Sequence, residues 1–454
     1  MIGIRLANLT ACFEGVIPSV LSTVAADGTP NISYLSHVVM ADEAHVALSN
    51  QFFSKTKANL QANPRATLLL VDGRDGRQFR LALTFARTLL EGPLFEKIGG
   101  LLAASSAQVG LAGVMRLRSV DLFRVEAVAA CPVPVATRPG APAPVPDLPA
   151  IAAAVEAIAD ARELTAVVDA TLTALQEACG FDHAVFLLGP DETGRLATVG
   201  SRGYDRSGVG SEIVLGEGLI GMAAARRHPV KVSDMSRIRR YGAAARASGE
   251  EEEDRLRIIA LPGLADAMSQ LAMPLVVHGE VQGVLFVESR RRLAFGPEAE
   301  AALAVVARQA AAAVLLAGTL VAETPAQAAQ EGDGQPSPPP ADAVAPRTFR
   351  VVHHAFDDSL FIDGAYVIKG VAGRLLMHML EASLRDGCTD FTNRALRLSR
   401  SLRLPDFKDN LETRLLLLQR RLDERALPVR LLRPGQGRIR LVLEGVPVLE
   451  TTGS

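Results

Sequence analysis

Two proline-dense stretches constrain this chain more than any other feature. CPVPVATRPGAPAPVPDLP, residues 131–149, loses a backbone donor at each proline and favours extended backbone, so it predicts a semi-rigid linker. AETPAQAAQEGDGQPSPPPADAVAP, residues 322–346, is polar and Pro/Ala-rich without large apolar side chains, so it buries too little surface to repay ordering. Allowing for the preceding helix end, the disordered linker is placed at 319–346. Three units remain, 1–130, 150–318 and 347–450, the number of ordinary domains that 454 residues accommodate.

Composition adds exclusions. Hydrophobic residues make up 48% of the chain, enough for packed cores, and the net charge of −2 gives the whole chain no polyanion or membrane preference. Cys12, Cys131, Cys179 and Cys388 lie far apart, forming neither a CxxC pair nor a disulfide framework, which predicts a reducing, cytoplasmic setting. The first twenty residues have no basic flank followed by an apolar core, and AALAVVARQAAAAVLLAG is interrupted by Arg308 and Gln309, so no membrane association is expected.

Unit one begins as strands, with a hairpin signal at Asp27-Gly28. KTKANLQAN has helical spacing and ends at Pro64, and RATLLLVDG and RQFRLALTFARTLLEG resume strand; the order predicts a closed antiparallel barrel with one short helix. A helix start exposes unpaired N–H groups that attract anions, and Lys55, Thr56 and Lys57 beside it have the chemistry of a phosphate cradle. A solvated helix cap is the plainer reading of the same residues.

The succession DGTPNISYL, VALSNQFFSKTKANLQANPRATLLL resembles the pyridoxamine-phosphate-oxidase-like split barrel over residues 10–125. That resemblance implies FMN between two protomers, with Lys55 and Thr56 on its phosphate, Ser54 and Lys57 nearby, and Ser49 and Asn50 approaching the ribityl chain or ring. Some such barrels bind haem or a deazaflavin instead and some bind nothing; His37 and His45 are candidate ligands, although a lone strand histidine is more often packed or half-exposed. The arginine that the family uses for phosphate is replaced by Ser33 or Tyr34, and the aromatic, basic C-terminal segment that holds pyridoxal phosphate has no counterpart. Vitamin B6 oxidation is therefore not expected.

Unit two reads helix, strands, helix, strands, helix, an α+β sandwich with its helices on one side. GEGLIG (Gly216 to Gly221), AMPLVVHGEVQGVLFVES and the flanking helices resemble a GAF domain, which implies a small-molecule pocket or dimerisation through the terminal helices. The asparagine-lysine-phenylalanine-aspartate-glutamate signature of cyclic-nucleotide binders is missing, and no cysteine stands where a bilin attaches, so the ligand is unknown. SRIRRYGAAARASGEEEEDRLRIIALPG reads as a solvated lid, and His183 and His228 as packed or surface histidines with haem ligation as the alternative.

Positive charge collects in unit three. From Arg347 onward there are eighteen Lys/Arg against thirteen Asp/Glu, and from Asn393 to Arg440 thirteen against five, the footprint of a polyanion-binding surface. A turn at Asp363-Gly364, an amphipathic helix, a second helix capped by Thr389-Asp390, a third helix over DFKDNLETRLLLLQRRLDER and a hairpin around Pro434-Gly435-Gln436-Gly437 follow in order. FIDGAYVIKGVAGRLLMHMLE, TNRALRLS, NLETRLLLLQRRLDE and RPGQGRIRL resemble the winged-helix output domain of bacterial response regulators over 350–444. In that family the third helix enters the major groove and the wing crosses the backbone. The resemblance implies Lys408, Asn410, Thr413, Arg414, Arg420 and Arg421 as DNA-facing and Arg433, Arg438 and Arg440 as wing contacts. Leu415 to Leu418 cannot all face one core on a helix, so one or two are expected exposed or against a partner.

No acid–base dyad, nucleophile elbow, Walker loop or metal cluster stands out. The expectation is a cytoplasmic bacterial one-component regulator, a multidomain chain of split β-barrel, α+β GAF sandwich and winged helix. It would sense a flavin-type cofactor or small ligand and bind a palindromic DNA operator as a homodimer. The alternatives are a flavin-dependent oxidoreductase with regulatory modules and a signalling scaffold whose winged helix binds protein.

Overall fold

The computed structural model describes residues 4–35, 37–50, 54–108, 117–132, 146–236, 259–323, 347–402, 411–435 and 437–452. Most of both proline-rich stretches, the lid stretch 237–258, and Lys408, Asn410 and Gln436 lie outside the described residues.

Alternation of apolar and polar residues builds unit one. Strands β1 (Ser19–Val24), β2 (Pro30–Leu35), β3 (Val38–Met40), β4 (His45–Asn50), β5 (Arg65–Val71), β6 (Gln78–Leu89) and β7 (Ser119–Cys131) form one sheet in the order β2-β1-β5-β6-β7-β4-β3. In β5 every second residue (Ala66, Leu68, Leu70) points inward to Leu21, Leu81 and Phe123, as the period of two requires. Among the described residues no ladder joins edge strands β2 and β3, so the expected closed barrel is instead a split-barrel-like sheet. The β1–β2 hairpin turns at Asp27-Gly28, where Gly28 has φ +85°. Helix α1 (Ser54–Ala62) lies where the sequence placed it, but a second helix, α2 (Pro93–Gln108), was not anticipated. Ile98 of α2 packs on Val39, Ala47 and Val120 of the sheet, while Ala103 packs into the core of unit two.

Unit two contains strands β8 (His183–Leu188), β9 (Arg195–Arg202), β10 (Glu212–Val214), β11 (Val230–Val232), β12 (Ser269–Val277) and β13 (Glu280–Ser289) in the order β10-β9-β8-β13-β12-β11. Helices α3 (Leu148–Asp160), α4 (Leu164–Thr173) and α6 (Pro297–Glu323) cover one face, while α5 (Gly218–Arg226) covers the other. The helices are therefore not all on one side. The reason is visible in β8, which is apolar at consecutive positions: Phe186 and Leu188 face α4 and α6, and Val185 and Leu187 face α5. Helix α6 continues to Glu323, past the expected boundary at 318. Its Pro297–Gly318 segment is long and apolar enough to cross a bilayer by length and composition, yet Leu303, Val306 and Ala310, at helical spacing, are fully buried against the sheet.

Unit three pairs β14 (Thr348–His354), β15 (Ser359–Ile362) and β16 (Ala365–Ile368) with a last strand, β20 (Val446–Thr452), which runs parallel to β14. Helix α7 (Gly370–Asp386), strand β17 (Asp390–Thr392), helix α8 (Asn393–Leu398), helix α9 (Leu411–Glu424) and the hairpin β18 (Val429–Gly435)–β19 (Arg438–Leu443) complete it, with β17 added to the hairpin's edge. Thr389-Asp390 do not cap α8. Asp390 is in strand β17, and the cap is Thr392, whose hydroxyl accepts the Ala395 N–H at 3.1 Å.

The four leucines of α9 correct the sequence expectation most sharply. Leu415, Leu416, Leu417 and Leu418 are 1%, 1%, 8% and 0% exposed. One core cannot take four consecutive positions, but α9 lies between two: its own unit on one side, and α4 and β9 of unit two on the other.

Units one and two are also joined. Lys231 of β11 donates to Glu14 of unit one at 2.9 Å and to Glu300 at 3.1 Å, and Ser233 donates to Glu14 at 2.6 Å. Desolvation alone would lower the Lys231 pKa, but the two carboxylates outweigh it and the pKa is raised.

Candidate functional site

Two sites follow from the sequence, one on α1 and one on α9. The inner side of helix α1 is divided: Leu60 joins the core with Leu21 and Leu68, while Thr56 and Asn59 lie over polar strand positions. Thr56 is 4% exposed, and its hydroxyl meets Ser33 Oγ at 2.8 Å and accepts the Asn31 amide at 3.1 Å. One turn on, Asn59, also 4% exposed, donates to Thr23 Oγ1 at 3.1 Å. The Thr56 hydroxyl is thus committed to the sheet. Lys55 and Lys57 are exposed, and neither makes an ion pair among the described residues. Two ammonium groups beside a neutral hydroxyl–amide network fit a phosphate group. Ser54 opens the helix; its side chain lies outside what is described.

Ser49 and Asn50 end β4 and are both buried. Ser49 Oγ donates to the His37 carbonyl at 3.2 Å, and the Asn50 amide donates to Asp121 Oδ2 at 3.1 Å, whose other oxygen accepts Thr88 Oγ1 at 2.7 Å. These bonds tie the end of β4 to the His37 backbone and to Asp121 of β7. Burial lowers the His37 pKa from 6.5 to about 4, so its ring is neutral at physiological pH. His45 is held by Asp42 at 2.9 Å, and His228 lies 3.5 Å from Glu96. His183 stacks edge-on against Tyr204, with ring centroids 5.4 Å apart. Among the described residues no three His, Cys, Asp or Glu side chains are placed to hold a metal ion. Burial pushes the Cys12 and Cys179 thiols up to about 12 and about 11, so neither supplies a thiolate at neutral pH.

Unit two holds a buried carboxylate that the sequence did not reveal. Glu288, 3% exposed, accepts the Tyr204 hydroxyl and the Leu264 N–H at 3.0 Å each and the Gln270 amide at 2.6 Å. Every donor comes from a different element, so no local spacing could have signalled the cluster.

On α9 the stripe Thr413, Leu417, Arg420 and Glu424 recurs at three to four residues and therefore forms one face. That face meets unit two. Arg420 donates to the Val199 carbonyl at 2.9 Å and to Asp169 Oδ1 at 2.6 Å, Glu424 accepts from Ser207 at 2.6 Å, and Arg414 lies 3.8 Å from Asp191. A Cβ at Gly200 would sit 2.4 Å from Arg420 Nη1, so this approach of the guanidinium requires glycine there. Arg421 corrects the sequence reading: its side chain is 5% exposed and donates to the Val367 carbonyl at 3.0 Å and to Glu424 at 2.8 Å, inside its own unit, where it cannot reach a duplex. Arg433 is turned inward too, bonded at 2.9 Å to Glu412, which also accepts from Asn393. Of the hairpin residues, Arg440 is exposed but pairs with Asp390 at 2.8 Å, and Arg438 is exposed with no ion pair among the described residues.

Comparison with known proteins agrees with the first two units. Residues 7–129 match the pyridoxamine 5'-phosphate oxidase family, and residues 163–314 match the GAF domain family. Among solved structures, the GAF domain of an Acinetobacter phosphoenolpyruvate-protein phosphotransferase is 22% identical, covering 38% of this chain and 95% of its own, with a TM-score of 0.32. An FMN-binding protein from Syntrophomonas wolfei subsp. wolfei is 18% identical, covering 28% and 86%, with a TM-score of 0.24. An F420 reductase is 15% identical, covering 26% and 93%, with a TM-score of 0.20. No curated protein matches the chain. An N-terminal sheet with exposed lysines on its helix and a two-faced central sandwich are thus, by family, a pyridoxamine 5'-phosphate oxidase-like domain followed by a GAF domain.

Proposed function

We propose that this chain is a sensory regulator whose N-terminal domain carries a flavin or deazaflavin and whose C-terminal unit, a winged helix, binds duplex DNA. The observation that supports this reading best is the arrangement around α9. The cationic helix of the C-terminal unit is packed directly on a GAF domain, so a change in that domain reaches Arg414 and Arg420 without an intermediary.

The cofactor reading rests on the oxidase-like domain together with Lys55 and Lys57, two cations open to a phosphate. When bound, a flavin supplies reversible two-electron redox chemistry. The chain's own part is to neutralise the phosphate through Lys55 and Lys57, with the Thr56–Ser33–Asn31 network holding α1 against the sheet. In the C-terminal unit, Arg438 and Arg440 on the hairpin are exposed to a phosphate backbone as the chain stands. Thr413, Arg414 and Arg420 become available only when α9 leaves the GAF domain, so duplex binding through the helix needs that seam to open. A ligand shifts such an equilibrium only by its differential affinity for the two arrangements.

Two-fold pairing suits a palindromic operator. On edge strand β2, Ile32 and Tyr34 are 65% and 74% exposed and offer an apolar surface for it. The test is an absorption spectrum of the purified chain together with duplex binding at low ionic strength. A flavin-type spectrum and salt-dependent binding are expected. A colourless protein with no affinity for any duplex would end this reading.

A further inference from the structure

The seam between the GAF domain and the C-terminal unit is not uniform along α9. At its C-terminal half, Arg420 and Glu424 make bonds of 2.6–2.9 Å across the seam. At its N-terminal half the charged groups form only long ion pairs, without hydrogen bonds. Arg195 lies 3.5 Å from Glu212, Lys369 lies 3.7 Å from the same Glu212 oxygen, and Arg414 lies 3.8 Å from Asp191. Asp191 also serves its own turn, where Oδ1 accepts the Thr193 and Arg195 N–H groups and the Thr193 hydroxyl, and Arg414 lies against the other oxygen, Oδ2.

These five groups line a single cavity of about 240 Å³, closed on one side by the GAF domain and on the other by β16, α7 and α9. The lining carries three cations against two carboxylates, and the side chains of the three cations donate no hydrogen bond among the described residues. Facing them is an apolar wall that includes Leu188, Tyr366, Ile368 and Leu417. The volume equals that of roughly eight waters at liquid density, the scale of a small metabolite.

The geometry points to this cavity as a binding site for a small organic anion, a carboxylate or phosphate ester on a compact apolar body. Its oxygens would accept the N–H groups that Arg195, Lys369 and Arg414 do not use, which is the charge-assisted bonding that holds anions most firmly. Its apolar body would cover the wall opposite. Because the cations come from both sides, Arg195 from the GAF domain and Lys369 and Arg414 from the C-terminal unit, the anion binds the closed seam and stabilises it by mass action. The occupied state is therefore the one in which the α9 face is covered.

The test uses the full chain and three probes, benzoate, isovalerate and phenyl phosphate, each against sodium chloride at matched ionic strength. At least one probe is expected to raise the melting temperature saturably above the chloride control and to slow amide exchange over residues 411–424. Lys369→Gln combined with Arg414→Gln should weaken that response by roughly tenfold or more, as loss of charged hydrogen bonds does. Thr413→Phe, which fills the cavity from a half-buried position and leaves every charge in place, should remove it as well. No response to any of the three probes, or a response that persists unchanged in both variants, overturns the proposal. No duplex enters these measurements, so the outcome is separate from that of the DNA-binding reading.

Discussion

Helices Ser54–Ala62 and Leu411–Glu424 both present cations beside a threonine in the sequence, and the fold treats them in opposite ways. On the first, Thr56 is buried and Lys55 and Lys57 remain in solvent. On the second, the arginines go inward: Arg421 into its own unit and Arg420 onto the GAF domain. The difference lies in what each helix packs against. The sheet under α1 offers neutral hydroxyls and amides, which satisfy a threonine. The surface against α9 offers a carboxylate and backbone carbonyls, which satisfy a guanidinium in its planar, forked geometry. A cationic helix is thus an open anion site only where no neighbouring element supplies acceptors.

The largest effect expected from this contrast is on stability. Arg421→Ala leaves the buried Val367 carbonyl without its donor and removes the ion-pair partner of the exposed Glu424, and should cost about 2–3 kcal/mol in urea unfolding. Lys55→Ala with Lys57→Ala should stay within about 0.5 kcal/mol. Equal costs would erase the distinction between the two helices.

A smaller effect, about 1–2 kcal/mol, is expected for Gly200→Ala, whose Cβ displaces the Arg420 guanidinium from the Val199 carbonyl and Asp169. Amide exchange over 411–424 should quicken, and duplex affinity of the full chain should rise as α9 is uncovered. Loss of duplex affinity in this variant would mean that the covered face is not the one that meets DNA.

Acid should sharpen the same picture for the first domain. The pKa of His37 falls from 6.5 to about 4 on folding, so between those values the unfolded chain binds a proton that the folded one does not. His37 therefore makes stability rise with pH from about 4 to 6.5 and contributes no slope above that. His37→Gln should flatten this part of the pH–stability curve relative to the parent, and an unchanged slope would show that the ring is not the titrating group.

The least disruptive change is at the hairpin. Arg438→Ala with Arg440→Ala should leave melting nearly unmoved but reduce the slope of log affinity against log salt by about 2, one counterion per phosphate contact. Arg433→Ala should do the reverse, lowering stability through Glu412 while sparing the slope. If Arg433 changed the slope as much as the hairpin pair, the inward placement of that side chain would be wrong for the DNA-bound state.

Much of the fold could be read from local chemistry. Turns at Asp27-Gly28 and Asp363-Gly364 lie where their residues placed them, because positive φ and side-chain-to-backbone bonds are decided within four residues. Helix α2 escaped notice because Gly99 and Gly100 interrupt a helical pattern that only packing on the sheet and on the GAF domain repays. The candidate sites were less legible. Nothing near Arg420 along the chain marks it as covered, and what covers it is Asp169 and Gly200, more than two hundred residues earlier.

The sequence alone determined the two proline-dense seams, the strand and helix periods, and the gathering of positive charge toward the C-terminal end, since these depend on composition and on neighbours along the chain. Only the tertiary structure decided which of those charges face water, why four successive leucines are all buried, and where a cavity lined from two units exists. Exposure and pairing are properties of surfaces brought together from distant segments, and the energy of a charge depends on the acceptors and the dielectric around it rather than on its place in the sequence.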